Sequence, residues 1–407
     1  MDSLNQLILK YGIPDALIDH WSDKAKKMAI WGFDEVFVCD SNGCKLNNEK
    51  LNGDPMHLCN QVLKSWDSDS NHPTAIGYIS YDMKNVLFPH LEFKNNNNQI
   101  LMWFGKPSAV KEYLITNDEE KTISTEYRID IDTQIPNSKY YQKKIQEIKH
   151  YLKIGETYQI NYSNPIQYKY KKSKFDLYMY LRDIAKPANG IYLNTGMNEI
   201  LSLSPEKFFE INNHIIHTYP IKGTINRSPI LTEDIQLKTQ LMNSEKDKAE
   251  HLMIVDLLRN DLGKICEYGS IKVKDLYKVK SFETIHHMET DVYGTLFENI
   301  EFKDIIKALF PSGSITGAPK ERSMEIIDQV ENYNRGIYTG SIGYLSKNGY
   351  MNFNVAIRTM YFNDNNGIYP VGGGIVWDST AEGERIEALN KAKIISKLFN
   401  KEISHYA

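Results

Sequence analysis

A lysine set just before a glycine–threonine turn, in Pro220-Ile221-Lys222-Gly223-Thr224, is the residue of this chain best placed to act as a nucleophile. An amine held out of water gives up its proton more readily and then attacks carbon; left in water, the same lysine is only a solvated charge. Carboxylates recur at i, i+3 in two helical stretches: Asp247 and Glu250 within residues 246–262, and Glu384 and Glu387 within residues 382–399. Each pair projects from one helix face. Facing each other, the two pairs would make an oxygen-rich site suited to Mg2+, which takes one or two carboxylates and keeps positions for water and substrate oxygens. Spacing alone leaves a plainer reading open, with Glu384 a first-turn acid favoured by the helix dipole and Glu387 a solvated residue.

Four segments put glycines beside groups that bind carboxylates. The first is Lys222-Gly223-Thr224 itself. The second, Gly313-Ser314-Ile315-Thr316-Gly317-Ala318-Pro319-Lys320, opens a helix with Pro319 near its first position, where free N–H groups and the dipole favour an anion. The third is Gly372-Gly373-Gly374 at a strand's end, where absent side chains allow close approach. The fourth is the phenol of Tyr338 with the guanidinium of Arg358 on the partner strand of a hairpin. Any one of these is compatible with an ordinary turn. No nucleotide fingerprint is present, since the second segment ends in Gly-Ala-Pro-Lys and lacks the Lys-Ser/Thr step. Together the four describe a binder of a small di-acid with a divalent metal.

The elements that must position these groups follow from periodicity. Residues 36–39, 75–81 and 100–104 read as strands, and residues 95–98 as a polar loop. Tyr141, Ile145, Ile148 and Leu152 recur at helical spacing, with Ser138 as N-cap and Gly155 as the stop. Residues 252–258 are apolar nearly all round apart from Asp256, which predicts a buried helix. Residues 338–347 and 350–358 flank Asn348-Gly349, the dipeptide favoured in type I′ turns, and a turn at 364–367 leads into a strand over 368–376. Successive hairpins mean an antiparallel sheet with long helices on one face, an α+β class with large sheets.

Composition bounds the rest. The 407 residues are 41% hydrophobic, enough for a large core in one or two domains, and 48 basic against 52 acidic side chains give a net charge of −4. A nucleic-acid binder would carry a basic excess. The first thirty residues lack a cationic start followed by an apolar run, and no apolar stretch approaches a membrane span, so a cytoplasmic chain with no membrane partner is expected. Cys39, Cys44, Cys59 and Cys266 form no C-x-x-C pair and are expected to be reduced thiols.

Ordered motifs resemble the chorismate-utilising enzymes: Gly155-Glu156-Thr157-Tyr158-Gln159-Ile160-Asn161, Ser204-Pro205-Glu206-Lys207-Phe208, Pro220 to Thr224, residues 246–262, His286-His287, Gly313 to Lys320, residues 335–343, Ile357-Arg358-Thr359 and Gly372 to Ser379. The resemblance is strong over residues 138–400. It implies two large, mostly antiparallel β-sheets stacked and flanked by helices, with a β-rich scaffold region over 1–125 intertwined with a chorismate-binding catalytic region over 126–407. It implies that Glu250, Glu384 and Glu387 hold Mg2+ on the ring carboxylate. Tyr338, Arg358 and the Gly372–Gly374 backbone would hold the enolpyruvyl carboxylate, with Gly223, Thr224 and His287 lining the ring and Thr316, Gly317 and Lys320 in the substrate site. Within the family, anthranilate synthases typically carry Ala where this chain has Lys222, whereas aminodeoxychorismate synthase component I typically carries Lys. That branch implies amination at C4 through a covalent Lys222 intermediate, with Glu206 as general acid and 4-amino-4-deoxychorismate, the precursor of p-aminobenzoate and folate, as product. No glutaminase region is visible, which implies a separate glutamine amidotransferase subunit as ammonia donor. Ser312, Met288-Glu289-Thr290 and the less acidic last helix depart from the usual pattern at secondary positions. The rival readings are anthranilate synthase component I, isochorismate or salicylate synthase, and a silent binding subunit.

Overall fold

The computed structural model describes residues 2–20, 27–67, 72–94, 99–114, 130–131, 136–281, 285–396 and 398. The loop expected at 95–98 and positions 397 and 399 of the last helix lie outside them. All pairings between strands are antiparallel and link into one continuous ribbon. Its first half runs Lys272–Ser281, Ile285–Thr295, Ile215–Thr218, Lys207–Asn212, Tyr350–Val355, Ser341–Ser346, Ala75–Ile79. The second runs Ala16–Asp19, Asn189–Asn194, Glu199–Ser204, Thr359–Asn363, Asn366–Ile375, Gln159–Lys169. Two strands of 14 residues, Lys27–Asp40 and Ile100–Tyr113, pair with each other along their length and join the halves.

The halves stack as two sheets. Ile18, Ile30, Ile191 and Ile200 from one and Ile76, Tyr78, Ile342 and Tyr344 from the other share a buried cluster, and Asn354 Nδ2 donates to Asn189 O across the gap at 3.0 Å. Helices cover the outer faces. Pro55–Ser65, Glu245–Leu262 and Phe302–Leu309 close one cluster, while Lys174–Ala185 and Ala381–Ser396 close another. This is the α+β sandwich expected. Strands from residues before 125 lie inside the same ribbon as later ones, Ala16–Asp19 beside Asn189–Asn194 and Ala75–Ile79 beside Ser341–Ser346.

Several local expectations shift by small amounts for identifiable reasons. The helix Ser138–Lys153 is capped by Asn137, whose Oδ1 accepts from Tyr140 N at 2.9 Å, so Ser138 is the first helical residue and not the cap. Asn348 and Gly349 both take positive φ, 58° and 68°, as a primed turn requires. The helix Glu245–Leu262 is not apolar-buried all round. His251, Ile254, Val255 and Leu258 face the sheet while Leu252 is 41% exposed, because only one face meets the strands. Helix Leu231–Asn243, weakly amphipathic and framed by no cap residue, gave no signal in the sequence.

Asp19 shows how much the sandwich depends on satisfied polar cores. It is fully buried and accepts from Tyr113 Oη, from Tyr178 Oη at 3.1 Å and from Arg182 Nη1 at 3.5 Å. Removing the cation leaves an uncompensated charge in the core. Arg182→Leu is expected to cost about 3–5 kcal/mol, read as a lower denaturation midpoint at unchanged slope; a shift below about 1 kcal/mol by that measurement would show the pair to be dispensable.

Candidate active site

Two of the places where the chain crosses from one sheet to the other carry predicted site residues. One crossing, Pro205-Glu206, joins Glu199–Ser204 to Lys207–Asn212; the other, Ala356 to Arg358, joins Tyr350–Val355 to Thr359–Asn363. They are bonded to each other, Val355 N to Glu206 O at 3.0 Å and Leu203 N to Arg358 O at 3.1 Å. Arg358 takes φ 49° there and lies beyond the end of the strand Tyr350–Val355, which the sequence suggested would reach it. Its half-buried guanidinium forms no hydrogen bond or ion pair among the described residues. Tyr338 sits in the turn before Ser341–Ser346, also outside the strand expected for it, with its phenol buried and pushed up to about 12.

Lys222 lies on Ile221–Asn226, at the far end of the ribbon from Gln159–Lys169, yet its Nζ donates to Gln159 Oε1 at 3.0 Å. The two ends of the sheet system therefore meet at this amine. A Cβ on Gly374 would stand 3.0 Å from Lys222 Nζ, and one on Gly373 would stand 3.1 Å and 3.2 Å from carboxylate oxygens of Glu384 and Glu387. Those glycines are paired within the strand, opposite Asn161 and Tyr162, and they admit an amine on one face and acids on the other. Burial holds the Lys222 pKa below its ordinary value, partly offset by the charges of Glu250, Glu387 and Glu206.

Glu206 is buried and accepts from Ser314 Oγ at 2.7 Å. Burial raises its carboxyl to about 7, against the opposing pull of Ser314 and Lys222. An amine shifted down and an acid shifted up, within electrostatic reach of each other, give a nucleophile and a proton donor usable at neutral pH. The loop bearing Ser314 is shaped by Thr316, whose Oγ1 donates to Ser312 O at 2.9 Å, and by Gly317, where a Cβ would fall 2.0 Å from Gln159 O. Pro319 is the cap of Lys320–Val330. Lys320 is drawn elsewhere: its Nζ donates to Asp261 Oδ2 at 2.6 Å and Leu309 O at 2.9 Å, tying two helices together.

Of the three glutamates, Glu387 bears electrostatically on both Glu250 and Glu384. Burial raises Glu250 and Glu384, with Glu387 adding to both. Glu384 Oε1 accepts from Ser379 Oγ at 2.6 Å, whereas its Oε2 is buried and has no hydrogen-bond partner. An orphaned carboxylate oxygen beside a further acid, Glu387, is the donor chemistry of a hard cation. Among the described residues, no three such groups already converge as a cage. Glu387 is instead compensated by Lys391, whose Nζ donates to Glu387 Oε1 at 2.7 Å and Gly372 O at 2.8 Å. His287 is buried with Nε2 3.6 Å from Glu289 Oε2, directly opposite Thr224 in register. Sequence reasoning missed Gln159, Ser314 and Lys391 as members of the site. Gln159 and Ser314 stood inside quoted motifs without a role, and Lys391 showed only in its position four residues after Glu387 on one helix.

A two-sheet sandwich with an amine, a proton donor and a carboxylate group gathered at its seam defines an enzyme site for a small multiply charged anion. The chain belongs to the chorismate binding enzyme family, whose model matches residues 18–397. It is 33% identical over 363 residues to anthranilate synthase component 1 of Saccharolobus solfataricus, covering 85% of this chain and 86% of that protein. It is 40% identical over 261 residues to aminodeoxychorismate synthase component 1 of Escherichia coli strain K12, covering 64% of this chain and 58% of that protein. Among solved structures it resembles anthranilate synthase component I from Streptococcus pneumoniae TIGR4, with TM-score 0.79 and 26% identity over 90% of this chain and 91% of that one. It also shares the fold of the menaquinone-specific isochorismate synthase of Escherichia coli, with TM-score 0.75 and 16% identity over 98% of this chain and 91% of that one. Among the described residues no helix is long and apolar enough to cross a membrane.

Proposed function

We propose that this chain aminates chorismate at C4 to give 4-amino-4-deoxychorismate, acting as the synthase component beside a separate glutaminase that supplies ammonia. The pairing of Lys222 with Glu206 carries the reading: a lowered amine and a raised acid share one buried seam. The unpaired Arg358 and buried Tyr338 suit the enolpyruvyl carboxylate, and Glu250, Glu384 and Glu387 would hold Mg2+, which supplies charge neutralisation at the ring carboxylate when bound.

In the first displacement the neutral Lys222 amine forms a bond to C2, both ring double bonds shift (C1=C2 to C1=C6 and C5=C6 to C4=C5), and the C4–O bond breaks. Glu206 gives its proton to the departing hydroxyl, which leaves as water. Ammonia then bonds to C4, both double bonds shift back, and the C2–N bond breaks with its electron pair returning to Lys222. The proton lost by the incoming nitrogen restores Glu206. Pyruvate stays attached, so a separate lyase must act before an aromatic amine appears.

The expected result with chorismate, Mg2+ and ammonium is a non-aromatic amino product that becomes p-aminobenzoate only when aminodeoxychorismate lyase is added, followed by chromatography. Glu387→Gln is expected to abolish the Mg2+-dependent part of that turnover. Full activity in that variant would refute the metal assignment. The likeness to anthranilate synthases over 85% of the chain favours a second reading. Direct release of pyruvate with a fluorescent aromatic amine would establish it and displace the first.

A further inference from the structure

We propose that Ser312 and Ser314 form a chain of two hydroxyls that tunes the proton affinity of Glu206, with Ser312 a positioning residue that acts through Ser314; the inference rests on Glu206 being the acid of the amination reading. Ser314 Oγ lies 2.7 Å from Glu206 Oε1 and 3.0 Å from Ser312 Oγ, and all three residues are buried. Direction follows from proton counting. An ionised carboxylate only accepts, and a serine hydroxyl has one proton to give. Once Ser314 donates to Glu206, Ser312 must be the donor to Ser314. When Glu206 is protonated on Oε1 the chain can reverse, with Glu206 donating to Ser314 and Ser314 to Ser312. Both states are satisfied, but a hydrogen bond to the charged form is the stronger one, so the chain opposes what burial does to the acid.

The backbone around the two serines is pinned. Ser312 O accepts from Thr316 Oγ1 at 2.9 Å and Ile315 O from Arg335 Nη1 at 3.1 Å. Between the serines, Gly313 is pressed on the helix Glu245–Leu262, where a Cβ would stand 1.9 Å from Leu257 Cδ2. Ser312 is also one of this chain's departures from the usual motif. The charges that bear on Glu206 come from other elements: Lys222 and Lys391 favour its ionised form, and Glu289 opposes it. Lys207, its chain neighbour, is engaged with Glu210 Oε2 at 2.5 Å. Serine variants leave these charges in place, so a change in the acid reads the hydroxyls. Tuning matters because the reaction uses the group twice. Glu206 gives a proton to the departing hydroxyl and takes one back from the incoming nitrogen, and an acid held too high by burial gives its proton poorly.

Infrared difference spectroscopy of the full chain tests this through the carboxyl band that Glu206→Gln removes, titrated in the wild type, Ser314→Ala, Ser312→Ala and the double variant. Ser314→Ala is expected to raise the midpoint by roughly one to two pH units, and Ser312→Ala by about 0.3 unit. In the double variant Ser312→Ala adds nothing to Ser314→Ala, because its hydroxyl acts through the one already removed. The pH break of C4 amination, read with ammonium chloride as sole nitrogen source, moves by the same amounts. A midpoint in Ser312→Ala equal to that of the wild type, or shifts that add in full in the double variant, would overturn the inference. No aminated product from the wild-type chain overturns the amination reading instead, and the carboxyl titration still decides the hydroxyl chain.

Discussion

Lys222→Ala is expected to eliminate C4 amination, with a loss of roughly 10^3- to 10^6-fold typical of removing a covalent nucleophile. Slow amination at C2 is the expected residual reaction, because ammonia can then reach the carbon that the lysine would have occupied. The argument starts from position. The amine is held by Gln159 Oε1 at 3.0 Å and lies over Gly374, where any side chain would displace it. It continues through electrostatics: burial disfavours the ammonium, while Glu250, Glu387 and Glu206 restrain the fall enough to keep the group titratable. Quenching the wild-type chain with chorismate in the absence of ammonia should trap an adduct on Lys222, located by peptide mass. Undiminished C4 product from the alanine variant would remove the covalent route. A trapped adduct on any other residue would move it elsewhere.

The sequence disclosed what depends on local pattern and concealed what depends on the sheet's closure. Antiparallel class, the Asn348-Gly349 turn and the paired acids on two helices are set within a few residues, so periodicity and turn chemistry reached them. The meeting of Lys222 with Gln159 is set by two strands at opposite ends of a ribbon, 63 positions apart in the chain, and no short-range signal encodes it. Arg358 and Tyr338 were legible as residue types but misplaced as strand members. The chain must leave one sheet and enter the other at Ala356 to Arg358, and a hydrophobic run does not mark such a crossing. Lys320 shows the converse. A lysine beside glycines looks like an anion ligand until the fold supplies Asp261 as its partner. The resemblance to a known family joined the two glutamate helices before any geometry did, and the geometry adds what the resemblance did not contain, the orphaned Oε2 of Glu384 and the Lys391 tie.

Glu206→Gln separates proton donation from packing, because the amide is nearly isosteric and can still accept from Ser314. Loss of the general acid is expected to slow C4–O cleavage by about 10^2- to 10^4-fold. The pH profile gives the sharper reading. With Glu206 titrating at about 7, the slope of log rate against pH should fall by one unit near pH 7 in the wild type. This holds wherever Lys222 titrates, since ionisation of the acid removes one required proton. In the glutamine variant that break should vanish, leaving a profile that rises until Lys222 is neutral. Stability moves oppositely, and the sign follows from linkage. The folded carboxyl titrates above its unfolded value of 4.5, so the wild type enjoys its full contribution below pH 4.5 and loses it as pH rises to about 7. The glutamine variant has no such loss. Its stability relative to wild type should therefore increase between pH 4.5 and 7, by an amount on the order of 3 kcal/mol, and then level off. Denaturation midpoints measured at pH 4.5, 6 and 8 check this directly. A break near pH 7 that survives in the variant would assign the proton donor to another group, and a stability difference independent of pH would show that Glu206 is not the buried acid the geometry describes.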